Sequence, residues 1–166
     1  MKEIVAGGLL LAAAATQAQA SGEKGLSFHV GQFYPKTKLA KDYEGGRWFL
    51  AGIEYDTSGK YNLLGPDVRK SVTADVYSKG SLTGVPILFN ASKRDGRFLI
   101  GGGVGVSFIH RKDAAGLSLA ETQFGYQLFV SYDLKAGDQP FFVAGRYIGN
   151  SREDLTGLGL SVGTRF

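Results

Sequence analysis

Read backwards from Phe166, every second residue is Thr164, Val162, Leu160 and Leu158, and those between are Arg165, Gly163, Ser161, Gly159 and Gly157. One face is apolar and the other is small or charged. That is the period of a β-strand, whose successive side chains point to opposite faces. The same alternation places Phe124, Tyr126, Leu128, Val130 and Tyr132 against Gln123, Gly125, Gln127, Phe129, Ser131 and Asp133. It recurs with Phe98, Ile100, Val104, Val106 and Phe108 against Gly101, Gly103, Gly105 and Ser107, and with Val85, Ile87, Phe89 and Ala91 against Gly84, Pro86, Leu88 and Asn90. Eight such segments are predicted: Gly25–Tyr34, Arg47–Asp56, Lys70–Tyr77, Leu82–Ala91, Arg97–Ile109, Glu121–Asp133, Pro140–Gly149 and Asp154–Phe166. Clusters of Gly, Asp, Lys and Pro separate them, and no convincing 3.6-residue periodicity occurs anywhere in the mature chain.

A water-soluble sandwich also alternates, so two further features assign the solvent. The non-apolar face carries glycine, serine and glutamine rather than Lys, Glu and Thr, which suits the crowded interior of a narrow barrel. Aromatic residues gather near segment ends, including Phe33, Tyr34, Tyr55, Tyr77, Phe141, Tyr147 and Phe166, as girdles at two membrane interfaces require. Ten residues at about 3.3 Å each, tilted by roughly 40°, span about 25 Å, the height of a bilayer's apolar band. The expected fold is an all-β, eight-stranded, antiparallel, up-and-down transmembrane β-barrel. With both termini in the periplasm, Ser92–Gly96, Leu134–Gln139 and the long Thr57–Arg69 are periplasmic connections. Pro35–Gly46, Ser78–Ser81, His110–Ala120 and Asn150–Glu153 are then extracellular. Thr57–Arg69 fits this topology least well.

The start of the chain reads as an address. Lys2 precedes an apolar run from Ile4 to about Ala15, and Ala18-Gln19-Ala20 forms an A-x-A cleavage site before Ser21. The run is too short to span a membrane as a helix, which takes roughly 20 residues. Residues 1–20 are therefore expected to be a signal peptide and residues 21–166 the barrel domain.

Composition narrows the chemistry. The chain is 43% apolar with a net charge of +4, so disorder is excluded; 25 glycines without a strict period exclude collagen. Cysteine is absent and histidine occurs twice, which removes disulfides, thiolate sites and three-histidine zinc sites; no cofactor is expected. Gly159-Leu160-Ser161-Val162-Gly163 spells a nucleophile elbow, but only three residues follow it and none is a histidine. Gly101–Val106 lacks the third glycine of a dinucleotide loop and has no helix after it. Strand glycines explain both.

By strand parity His29, Glu54, Asp75, Asp133, Arg146 and Arg165 point into the lumen. Glu54, Asp133 and Arg165 are expected towards the periplasmic end, and Asp75 and Arg146 towards the outer end, with His29 as a third partner for that pair. Unpaired charges there would cost several kcal/mol, so a satisfied network that plugs the lumen is the expected role; a gate for small ions is the alternative. Lys36, Lys38 and Lys41 in one loop and Arg111 with Lys112 in another are candidate contacts for lipopolysaccharide phosphates.

The signal sequence, the eight segments, Gly-Gly-Gly-Val-Gly-Val (Gly101–Val106) and the terminal Thr-Arg-Phe resemble the small outer-membrane β-barrels of the OmpA/OmpX/OmpW type. The resemblance extends over essentially the whole mature chain. It implies a multi-pass barrel in the bacterial outer membrane, with outer-membrane lipid and lipopolysaccharide around it. A monomer is expected, and secretion together with the alternation argues against a nucleic-acid partner. Leu158, Leu160, Val162, Thr164 and Phe166 look like the signal read by the barrel-assembly machinery, which implies that machinery and periplasmic chaperones as folding partners. This fold hosts adhesins, anchors, narrow channels and lipid enzymes. A non-enzymatic structural or surface-interacting role is expected first, a narrow porin-like channel second and a lipid A-modifying enzyme third.

Overall fold

The computed structural model describes residues 25–37, 40–41, 45–57, 68–112, 118–134, 141–151 and 155–166. The expected signal peptide, residues 1–20, lies outside the described residues. Eight strands follow in order: β1 (Leu26–Pro35), β2 (Trp48–Asp56), β3 (Arg69–Lys79), β4 (Leu82–Asp95), β5 (Phe98–Lys112), β6 (Ser118–Asp133), β7 (Phe141–Asn150) and β8 (Gly157–Arg165). Each pairs antiparallel with its neighbour in sequence, and β1 pairs with β8, closing the barrel. Closure removes the free edges that an open sheet of this length would expose.

The seam between first and last strands is held by the chain ends. Gly25 N donates to Phe166 O at 2.8 Å, Phe166 N donates to Leu26 O at 2.8 Å, and the Phe166 ring meets Phe28 edge-on at 5.8 Å.

The alternation sets the two faces of the wall. On β6, Leu128 is 64% exposed while its neighbour Gln127 is 1% exposed. Every strand contributes large apolar side chains to the outward face, from Val30, Ile53 and Val72 through Phe89, Ile100 and Leu128 to Val143 and Leu160. Leu158, Leu160 and Val162 are exposed there, and Thr164 and Phe166 are half-buried.

The strands run further than the alternation suggested. The Ser92–Gly96 connection contracts to Gly96-Arg97, with Gly96 at φ 55°, and Ser78–Ser81 contracts to Gly80-Ser81, with Gly80 at φ 56°. Positive φ is what tight hairpins demand of their first loop residue, and glycine supplies it without strain. Arg97, expected in the fifth segment, belongs to that turn. The expected loop His110–Ala120 is strand through Lys112, which pairs with Ser118. The last strand begins at Gly157 rather than Asp154. Although no helical period was read, the β1–β2 connection carries i→i−4 bonds, from Lys41 N to Thr37 O at 3.2 Å and from Gly45 N to Lys41 O at 2.8 Å. Within the Thr57–Arg69 connection, residues 58–67 lie outside the described residues. Its two ends are clamped by Arg69 Nε to Asp56 Oδ2 at 2.6 Å and Thr57 N to Lys70 O at 2.8 Å.

Candidate functional site: a three-storey lumen

Inward side chains fill the barrel in three storeys. Nearest the loop end, opposite the termini, lies an apolar cap of Phe33, Trp48, Leu50, Tyr77, Leu82, Ile109 and Ile148. It is completed by Ala40 and Leu155, which the β1–β2 and β7–β8 connections drop into the mouth. Phe33 stacks on Tyr77 with ring centres 4.3 Å apart and leans on Trp48 at 5.8 Å. Trp48 Nε1 donates to Gly45 O at 2.9 Å, so the indole is not left with an unpaired donor. Phe33 and Tyr77 were expected in the outer girdle; both are fully buried. Their parity decides this: Phe33 shares the face of His29, and Tyr77 that of Asp75. Tyr77 lies flat over Gly84 of β4, where a Cβ would collide with its ring.

The middle storey is ionic. Asp75 lies between a histidine and an arginine, with Oδ1 2.9 Å from His29 Nε2 and Oδ2 3.3 Å from Arg146 Nη1. Strands β3 and β7 stand on opposite sides of the barrel, and the long arginine reaches across. Arg146 Nη2 is also 3.9 Å from Glu54 Oε2, while Glu54 Oε1 is 2.6 Å from Arg69 Nη1. Glu54 lies nearer the termini than Asp75, as expected. The expected placement of Asp75 and Arg146 towards the outer end is corrected to mid-height, because the aromatic cap occupies the outer storey, and Arg146 links Asp75 to Glu54 in one network. His29 and Asp75 sit two strands apart, and the residue registered between them on β2 is Gly52. A Cβ at Gly52 would overlap Asp75 Oδ1 and lie 2.6 Å from His29 Nε2. The missing side chain is the gap through which the pair meets.

Beside this network, Gln127 Nε2 donates to Asn90 Oδ1 at 2.6 Å and to Thr73 Oγ1 at 3.1 Å; Asn90 Nδ2 donates to Thr73 Oγ1 at 3.1 Å. These side chains cross β5 above its glycines: a Cβ on Gly103 would collide with Asn90 Oδ1. The glycine-rich strand is thus an interior clearance.

The storey nearest the termini holds Asp133 between Arg94, at 2.5 Å, and Arg165, which also donates to Ser131 Oγ at 2.9 Å and lies 4.1 Å above the Phe142 ring. Arg69 and Arg94 fall in the expected connections Thr57–Arg69 and Ser92–Gly96, which hid their place in the lumen. Strand parity was the available signal, since Arg69 is in phase with Asp75 and Arg94 with Asn90.

Among the candidate lipopolysaccharide contacts, Lys36 and Lys41 are exposed at the loop end. Arg111 stands on the other side of the barrel, 3.1 Å from Glu121. Lys38 lies outside the described residues, as does the side chain of Lys112. The two histidines are far apart in the wall: His29 faces Asp75 in the lumen, whereas His110 is exposed on the other face of β5, registered with Thr83 and Ala120.

No protein-family model matches the chain, and no curated protein matches it. Among solved structures, it is similar to the backbone structure of the Yersinia pestis outer membrane protein Ail in a phospholipid bilayer nanodisc. That match has a TM-score of 0.54 at 15% identity and covers 87% of this chain and all of that one. The two share the eight-stranded antiparallel barrel fold.

Proposed function

We infer that this chain is a non-enzymatic barrel of the bacterial outer membrane, structural or surface-interacting, whose lumen is plugged by its own side chains. One observation carries the membrane reading: the apolar outward face continues around all eight strands. Soluble monomers rarely expose contiguous apolar patches above a few hundred Å², whereas a bilayer solvates such a belt. The fold shared with Ail supports the same reading, as do the polar and ionic groups turned inwards. With the chain ends in the periplasm, the loop end faces outwards, and Lys36 and Lys41 stand at the level of lipopolysaccharide phosphates.

The plug reading rests on the stacked aromatic cap above a paired charge layer, each built from nearly inaccessible side chains. Planar-bilayer recordings test it against the channel reading: the plugged barrel is expected to show no ion conductance, and steady single-channel steps would favour the pore. The enzyme reading needs an activated serine near histidine and an oxyanion donor at the lipid interface. His29 instead faces an aspartate inside the lumen. Mass spectrometry of lipid A from cells with and without the protein is expected to show no difference.

Insertion is tested on the last strand. Leu160→Arg places a charge on the bilayer face and is expected to cost about 2–4 kcal/mol, whereas Ser161→Ala, in the lumen, is expected to be mild. Folding yield into lipid vesicles compares the two, and equal yields would overturn the assignment of faces. Deleting Phe166 is expected to lower outer-membrane levels in cells by removing the assembly signal, with a smaller effect on refolding in detergent. Wild-type levels in cells would remove that role.

A further inference from the structure

The outward wall is not uniformly convex. Along β7, β8 and β1 it sinks over Gly145, where a Cβ would meet nothing closer than Leu160 Cδ2 at 3.9 Å and Val130 Cγ1 at 4.0 Å. This groove, of about 530 Å³, has a Phe98–Tyr132 rim and a Gln32–Tyr34 rim. A second groove of about 550 Å³ begins at the loop end, where Tyr34, Tyr147 and Leu158 stand below Lys36 and Lys41. The two are continuous: Tyr34 lines both, and Gly145–Tyr147 on β7 and Leu158–Leu160 on β8 are successive outward positions. Midway, the Tyr34 hydroxyl donates to Gln32 Oε1 at 2.7 Å. The Gln32 side-chain amide thus stands exposed, as a hydrogen-bond donor, on an otherwise apolar wall.

We propose that this trough is a binding site for one molecule of an anionic, phosphate-bearing acyl lipid. Its chain lies over Gly145, its linkage carbonyl is at Gln32 and its phosphate is at Lys36 and Lys41. The inference rests on the membrane reading. Shape selects the occupant: a second copy presenting this wall would set hollow against hollow, whereas a single acyl chain is narrow and flexible enough to fill it. Each groove has the volume of a small-molecule pocket. The order of chemistry along the trough, apolar then hydrogen-bonding then cationic, is that of a lipid from chain end to headgroup. Arg111, at the loop end of β5 and paired with Glu121, lines neither groove.

The test is native mass spectrometry of the full barrel released from vesicles of equal phosphatidylglycerol and phosphatidylcholine with identical chains. One phosphatidylglycerol per barrel is expected to be retained in preference to phosphatidylcholine. Lys36→Gln and Lys41→Gln are each expected to weaken retention about five-fold, the effect of one basic residue beside an anionic lipid surface. Gly145→Leu fills the hollow from the outside, leaves the lumen untouched and is expected to abolish selective retention, whereas Gly145→Ala keeps it. Equal retention of the two lipids, or of phosphatidylglycerol by wild type and Gly145→Leu, would overturn the site. Displacement of the lipid by inorganic phosphate alone would overturn the chain's share in it. Partition of the barrel into water without detergent would instead defeat the membrane reading, so the two failures are distinguishable.

Discussion

Replacing Asp75 with Asn or Arg146 with Met is expected to destabilise the barrel by about 3–5 kcal/mol each, since either change leaves buried charge without its partner. The two losses are not expected to add. With Asp75 neutralised, Arg146 keeps its longer approach to Glu54 and its place over the Phe129 ring, and with Arg146 gone, Asp75 keeps His29. Removing both deletes the attraction together with both desolvated charges. The double variant is therefore expected to cost less than the sum by about 1–3 kcal/mol, the coupling typical of residues in one network. Urea unfolding in detergent or lipid measures all four corners of the cycle. A coupling within about 0.3 kcal/mol of zero would separate the pair.

Tyr77→Ala is the second large effect, expected at about 3–5 kcal/mol, as for other aromatic deletions from packed interiors. It removes the ring that stacks on Phe33 and covers Gly84, and little nearby can move in, because the cap is bounded by backbone. Trp48, the chain's sole tryptophan, lies in the same cap and reports on it. Its emission is expected to shift to the red and become accessible to iodide in Tyr77→Ala, while wild type resists the quencher. An unchanged, unquenched spectrum would show that the cap repacks without Tyr77.

The strands were legible because a closed barrel turns successive side chains to opposite faces of its wall, and Leu158 to Phe166 keep that period throughout. The same rule, applied further, places Phe33 and Tyr77 inside; proximity to a strand end is a weaker criterion than parity. Strand ends were less legible. At Lys112 and Ser118 the chain goes on pairing where its alternation has faded, since hairpin hydrogen bonds do not depend on side-chain hydropathy. Height within the lumen was least legible. Taken strand by strand, Glu54 belongs with the terminal end and Asp75 with the outer half, yet Arg146 approaches both across the lumen. Nor does the order of residues single out Gly52 from other strand glycines. Its role follows from its position between His29 and Asp75.

The pairing of Gly25 with Phe166 makes the folded chain a ring with one cut in it. Where that cut lies is a matter of synthesis rather than of architecture, because the strands on either side of it are registered like any other neighbouring pair. A short linker joining residue 25 to residue 166, with new ends opened at Gly80-Ser81, would preserve every ladder and every storey. The permuted chain would, however, present β3 rather than β8 as its final strand. Such a protein separates two properties that the native order joins: the capacity to close into a barrel, which it would retain, and the final place of β8 with its phenylalanine, which it would lose.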